Sequence, residues 1–260
     1  MNRLKRLFEN KAKSVLSVYF TAGYPSLHDT STIINALADN GADIIEIGMP
    51  FSDPLADGPV IQKSNDIALK NGMNLRLLFD QISDIRKETD IPLLLMGYIN
   101  PVLQYGMEKF CSMCEKTGID GLILPDLPMY VYLNEYRELF EKHGLSAVFL
   151  VAPETSEERI REIDRISTGF IYVVSSSSTT GAKEDIERKQ IEYFRRIKSL
   201  GLKNPTLIGF GISSNRTFTR ACEFGNGAII GSAFIKALEN KELNLEERVK
   251  TFIYNIKHKN

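Results

Sequence analysis

Eight short apolar runs, rich in β-branched residues, punctuate this chain of 260 residues: 15–20 (VLSVYF), 43–49 (DIIEIGM), 92–97 (PLLLMG), 121–125 (GLILP), 147–152 (AVFLVA), 170–175 (FIYVVS), 206–211 (TLIGFG) and 227–232 (GAIIGS). Most lack strict polar alternation, the pattern of strands covered on both faces. Helical patterns lie between them, as in 131–144 and 188–201, where Gly144 and Gly201 are placed as helix stops. Strands alternating with helices give a parallel sheet. Eight such units fit an α/β fold of the (β/α)8 TIM-barrel type better than a doubly wound sheet, and no Gly-x-Gly-x-x-Gly fingerprint follows any strand. A period of about 30 residues also resembles a solenoid, but the units share no side-chain signature. With no Ser/Gly linker or break in composition, 1–260 reads as a single domain with an extra N-terminal helix.

Composition narrows the functional classes. Hydrophobic residues make up 43%, enough for a sizeable core, and 32 basic against 33 acidic side chains give a net charge of −1. That balance argues against nucleic acid, which calls for a basic excess. No apolar run reaches the roughly 18–20 residues of a membrane span, so no membrane contact is expected. The charged start MNRLKRLFENKAKS has no apolar signal region behind it, which argues against export and for a cytoplasmic protein. Of three cysteines, Cys111 and Cys114 form C-S-M-C inside an amphipathic stretch ending at Gly118. They read either as a redox pair or as helix packing, and a mid-helix position favours packing.

The second run carries an anomaly, because Glu46 stands among isoleucines. An unpaired buried carboxylate costs several kcal/mol or shifts its pKa until it is neutral. Strand side chains alternate, so Glu46 shares a face with Ile44 while Ile45 and Ile47 take the other. The isoleucines suit the helix layer and leave Glu46 pointing into the barrel near the C-terminal end of its strand, where active sites of this fold lie. The two readings are a catalytic acid and a structural glutamate held by the barrel wall.

Four loops at the same end add candidates. Those after the last two strands, GFGISSN (209–215) and GSAF (231–234), contain Gly209, Gly211, Gly231 and Ser232. Such loops suit a phosphate held by amide dipoles; the alternative is tight turns and N-caps, with Ser213 or Ser214 opening the next helix. The polar loop SSSSTTGAKED (175–185) is either a lid or an ordinary surface connection. Asp53 and Asp57 lie in a segment stiffened by Pro50, Pro54 and Pro59. No histidine is near them in sequence, so no metal is expected.

The string EIGMPFSDPLADGP resembles the signature of the tryptophan synthase alpha-subunit family. Further matches lie in order along nearly the whole chain: YFTAGYP (19–25), YINPV (98–102), PDLP (125–128), TTG (179–181), GFGIS (209–213) and GS (231–232). The resemblance implies retro-aldol cleavage of indole-3-glycerol phosphate to indole and glyceraldehyde 3-phosphate, a carbon–carbon lyase reaction of tryptophan biosynthesis. It implies catalytic roles for Glu46 and Asp57. Substrate contacts fall to Tyr19, Tyr98, Tyr172 and Thr180, and phosphate binding to Gly181, Gly211, Gly231 and Ser232. Asp53 and Asn100 fall on the expected partner surface. No cofactor is implied for this chain; pyridoxal phosphate belongs to the β subunit, the partner in an α2β2 heterotetramer.

The sequence departs from the family pattern in the 175–185 loop, with Ser178 where glycine is frequent and Ser176 where arginine or a larger residue is common. Two alternatives stand beside the subunit reading. One is a free-standing indole-releasing lyase, or a barrel enzyme acting on another phosphorylated metabolite. The other is a non-catalytic activator of the β subunit, which retention of both Glu46 and Asp57 argues against.

Overall fold

The structure, a computed structural model, describes residues 2–55, 57–175, 183–209 and 211–258. All eight predicted runs are strands: β1 (Val15–Thr21), β2 (Ile44–Gly48), β3 (Leu93–Met96), β4 (Gly121–Ile123), β5 (Ser146–Val151), β6 (Ile171–Val174), β7 (Thr206–Gly209) and β8 (Gly227–Ile230). Each pairs in parallel with the next, and β8 closes onto β1. Closure leaves no unpaired strand edge, which is why all eight runs can be short.

Side-chain alternation sorts the core into two layers. Leu16, Val18 and Phe20 of β1, Ile45 and Ile47 of β2, and Leu93 and Leu95 of β3 face outward beneath the helices. Val15, Ile44, Leu94, Ile123, Val148, Phe170, Tyr172, Leu207 and Ile229 fill the barrel interior. Both faces of each strand are therefore dry, which accounts for the near-continuous apolar runs.

The helix Arg3–Asn10 closes the end where the strands begin. The Asn2 side chain caps it and also donates to the backbone carbonyls of Asp120 and Gly144, next to the starts of β4 and β5. Leu4, with no exposed surface, enters the interior cluster, and Leu7 and Phe8 pack against the same cluster. Asp120 anchors this end: its carboxylate accepts from the Arg3 and Arg86 guanidinium groups and from the Leu93 N–H at 2.8–3.2 Å.

The helical stretch predicted at 131–144 is less regular than its pattern suggests. It divides into Met129–Val131, a π-helical turn at Tyr132–Tyr136, and Arg137–Lys142. The wide turn lets Tyr132, 1% exposed, pack edge-on to both Phe140 and Phe149. Gly144 and Gly201 follow their helices with positive φ, 65° and 58°. Cys111 and Cys114 are buried within the helix Met107–Thr117, and burial pushes both thiols up, Cys111 to about 12. Thiols held in that state are unreactive, so packing is the reading the structure supports. Among the described residues, no helix is long and apolar enough to cross a membrane.

Candidate active site

Glu46 lies on β2 with Ile44 below it in the barrel interior, while Ile45 and Ile47 pack outward. It has no exposed surface. Its Oε1 accepts a 2.7 Å hydrogen bond from the Ser17 hydroxyl of β1, and its Oε2 has no partner among the described residues. Burial raises the carboxyl to about 7, against a smaller lowering effect of the Ser17 hydrogen bond. A carboxyl whose two protonation states are balanced near neutrality is suited to exchanging a proton with a ligand.

Asp57 reaches the same mouth from the loop after β2. A hydrogen bond from its backbone N–H to the Pro54 carbonyl closes a turn, and Gln62 donates to the Asp57 carbonyl at 2.9 Å. Pro59, which sequence reasoning assigned to stiffening the loop, also opens the helix Pro59–Lys70. There its missing N–H costs nothing and its fixed φ favours the first turn. Burial raises the Asp57 carboxyl to about 6, with the Tyr98 hydroxyl, 3.4 Å from Oδ2, acting in the opposite direction. The Tyr98 ring is tilted against Phe51 with centroids 5.1 Å apart, so the loop after β2 packs on the segment after β3.

Two tyrosines join the acids. Tyr19 pairs in register with Glu46 across β1 and β2, and Tyr172 stands on β6. Both are buried, at 7% and 6% exposure. Burial first, then the carboxylates of Asp57 and Glu46, hold both phenols far above their ordinary range. Both acids therefore lie within electrostatic reach of the same two neutral hydroxyls. Glycines make room for these rings: a Cβ at Gly209 would sit 2.7 Å from Tyr172 Cζ, and Gly48 stands in the same relation to Tyr19.

The remaining candidates lie around the rim. Gly211, with φ of 75°, is exposed in the loop after β7. In that loop Ser214 is the N-cap of the helix Asn215–Phe224, in a reciprocal capping box with Thr217, as the N-cap reading had it. Gly231 precedes the short helix Ser232–Ala237, and Ser232 is exposed at its start. Asp53 and Asn100 are exposed on the loops after β2 and β3, with Leu55 between them in chain order at 90% exposure. Thr180 and Gly181, together with Ser176 and Ser178, lie outside the described residues.

Sequence reasoning missed Ser17 and Gly48, and it read Gly209 as a phosphate-loop glycine where the structure shows it making room for Tyr172. The spacing of Ser17, two residues before Tyr19, signals only that both point inward. Its meeting with Glu46 depends on the β1–β2 register, which a strand pattern alone does not fix.

A closed parallel barrel with two acids of raised pKa at the C-terminal ends of its strands is the architecture of a barrel enzyme equipped for acid–base chemistry. Comparison with known proteins is more specific. The family described as "Tryptophan synthase alpha chain" matches residues 5–260. A tryptophan synthase alpha chain of Flavobacterium psychrophilum is 57% identical over 238 residues, 92% of this chain and 94% of that one. One from Christiangramia forsetii is 55% identical over 251 residues, 96% of this chain and 98% of the other. The crystal structure of the tryptophan synthase alpha subunit of Legionella pneumophila superposes with a TM-score of 0.89 at 31% identity, covering 99% of this chain and 97% of its own. A mutant alpha subunit from Pyrococcus furiosus gives 0.84 at 36% identity, with 95% and 98% coverage. The chain belongs to the tryptophan synthase alpha-chain family.

Proposed function

We infer that this chain cleaves indole-3-glycerol phosphate to indole and glyceraldehyde 3-phosphate, with Glu46 as the proton-exchanging acid and Asp57 as the carboxylate facing the indole nitrogen. Family membership carries the reaction. The observation that carries the assignment of roles is the completely buried Glu46, its carboxyl raised to about 7, sharing two tyrosine neighbours with Asp57.

The chemistry is a retro-aldol cleavage. A proton from the Glu46 carboxyl adds to C3 of the indole and leaves an electron-poor indoleninium, whose N–H becomes acidic. The ionised Asp57 accepts a hydrogen bond from that N–H and offsets the positive charge. The Glu46 carboxylate then takes the proton of the hydroxyl on the carbon attached to C3. The C–C bond breaks, its electron pair returns to the ring, and the alkoxide carbon becomes the aldehyde. The net transfer is one proton from hydroxyl to C3, and Glu46 ends in its starting state. Each positioned transfer is worth roughly 10²–10⁴-fold in rate. Tyr19, Tyr98 and Tyr172 bound the indole. Its low-dielectric surroundings strengthen the Asp57 contact.

The phosphate is assigned to backbone N–H groups at Gly211, Gly231 and Gly181 and to the Ser232 hydroxyl, and Thr180 is assigned to substrate binding. The β subunit is assigned to the rim carrying Asp53 and Asn100, where the bare Leu55 side chain gives an apolar contact. Pyridoxal phosphate is assigned to that partner and none to this chain.

Indole released from indole-3-glycerol phosphate by the purified chain, and abolished in Glu46→Gln, is the expected result. Near-normal turnover in both Glu46→Gln and Asp57→Asn overturns the assignment of roles. Mixing with a tryptophan synthase β subunit tests the partner: a complex with faster indole formation is expected, and neither appearing removes the subunit role.

A further inference from the structure

One buried polar contact bears directly on the proton-exchanging acid. Ser17 lies on the inner face of β1, paired in register with Ile44 of β2 and Ile229 of β8, both interior apolar residues. A hydroxyl in that layer has few partners, and Ser17 has no exposed surface. Its Oγ donates to Glu46 Oε1 at 2.7 Å, the usual length of a hydroxyl–carboxyl hydrogen bond. The other carboxylate oxygen, Oε2, has no surface accessible to water and no hydrogen-bond partner among the described residues. Unsatisfied atoms of this kind are rare in folded proteins and point to function where they persist.

We infer that Ser17 is the positioning residue of Glu46: its hydroxyl pins Oε1, fixing the rotamer and leaving Oε2 as the oxygen that exchanges the proton with substrate. The inference rests on the acid–base reading of Glu46. A carboxylate with both oxygens free in an apolar layer can turn about its last torsion, since terminal sp³–sp² torsions are broad. With one oxygen tied to a rigid strand, the other has a fixed direction, and a near-attack geometry is held before substrate arrives.

The same bond sets the balance of protonation states, because a donor hydroxyl favours the ionised carboxylate. The groups facing Glu46 are Tyr19 on β1, Leu94 in register on β3 and Tyr172 on β6, and Asp57 acts on the same two tyrosines. Neither phenol is ionised near neutral pH, and no cation is among the influences on Glu46. Ser17 is the one group that opposes the effect of burial there.

The test is the pH profile of kcat/KM for indole release by the full chain in wild type, Ser17→Ala, Ser17→Cys and Ser17→Thr, with Glu46→Gln alongside. In Ser17→Ala the alkaline limb, set by Glu46, moves upward by about 1 pH unit. The acid limb, set by Asp57, stays in place, and KM is unchanged because Ser17 does not touch substrate. Ser17→Cys, nearly isosteric with a weaker donor, moves the same limb less far and keeps the test available if the alanine variant does not fold. Ser17→Thr restores the wild-type profile. Superimposable profiles in wild type and either donor-weakened variant, with Glu46→Gln inactive, overturn the role of Ser17 and leave that of Glu46 standing. An active Glu46→Gln overturns the acid–base reading itself.

Discussion

Gly48 and Tyr19 stand on adjacent strands so close together that a Cβ on Gly48 would lie 2.6 Å from Tyr19 Cζ. The glycine is a space reserved for a ring. Gly48→Ala therefore displaces Tyr19 toward the acids or tilts it away from them. Gly209→Ala does the same to Tyr172, where the new carbon would lie 2.7 Å from its Cζ. Misplacement of a positioning group by about 1 Å costs on the order of 10²-fold, so each variant should lose roughly 10–100-fold in kcat/KM while circular dichroism stays native. Wild-type kinetics in both variants would mean that the rings are not part of the reacting geometry.

The two acids predict a narrow pH optimum. The reaction starts with Glu46 protonated and Asp57 ionised. As pH rises through about 7 Glu46 loses its proton, and as pH falls through about 6 Asp57 gains one. kcat/KM, which reports the free enzyme, should form a bell with limbs near those values. Tyr98→Phe removes a donor from the Asp57 carboxylate, so its acid limb should move upward while the alkaline limb does not. A flat profile across this range would contradict the paired assignment.

The buried acid also predicts a stability cost. The folded-state pKa of Glu46 is raised from 4.5 to about 7. Its contribution is therefore fully favourable below the unfolded value and is lost as pH rises through the folded one. That rise corresponds to about 3 kcal/mol, at roughly 1.36 kcal/mol per pH unit. Glu46→Gln keeps an acceptor for Ser17 and cannot ionise, so it should gain on the wild type by about this amount between acid and mildly alkaline pH. Urea unfolding of both proteins at several pH values measures the difference. Parallel curves would mean that Glu46 is not desolvated in the folded state.

The N-terminal helix gives a prediction separate from the chemistry. Leu4→Ala empties a fully buried site at the floor of the barrel and should destabilise the fold by about 2–5 kcal/mol. KM for substrate should not change, since Leu4 lies at the end opposite Glu46 and Asp57. A shift in KM without a shift in the unfolding midpoint would contradict the placement of this helix.

All eight strands were legible because each is covered on both sides, and double coverage writes itself as an unbroken apolar run. The inward direction of Glu46 followed from alternation once Ile45 and Ile47 were given to the helices, and the packing layers agree. Its hydrogen bond with Ser17 was not legible, since it joins residues 29 apart through a register that only the closed barrel sets. Nor were the spaces at Gly48 and Gly209, because a glycine at the end of a strand reads equally as a turn or as a phosphate contact. The π-helical turn at Tyr132–Tyr136 escaped for a further reason. Its apolar spacing fits an ordinary helix, and the wider turn follows from seating Tyr132 between Phe140 and Phe149.

Leu4, Leu7 and Phe8 form a packed floor at the base of the strands. Among the described residues that end is packed shut, so a small apolar product finds no exit through the floor and leaves from the end that carries Glu46 and Asp57. A protein seated over the rim would therefore meet departing indole before the surrounding water does.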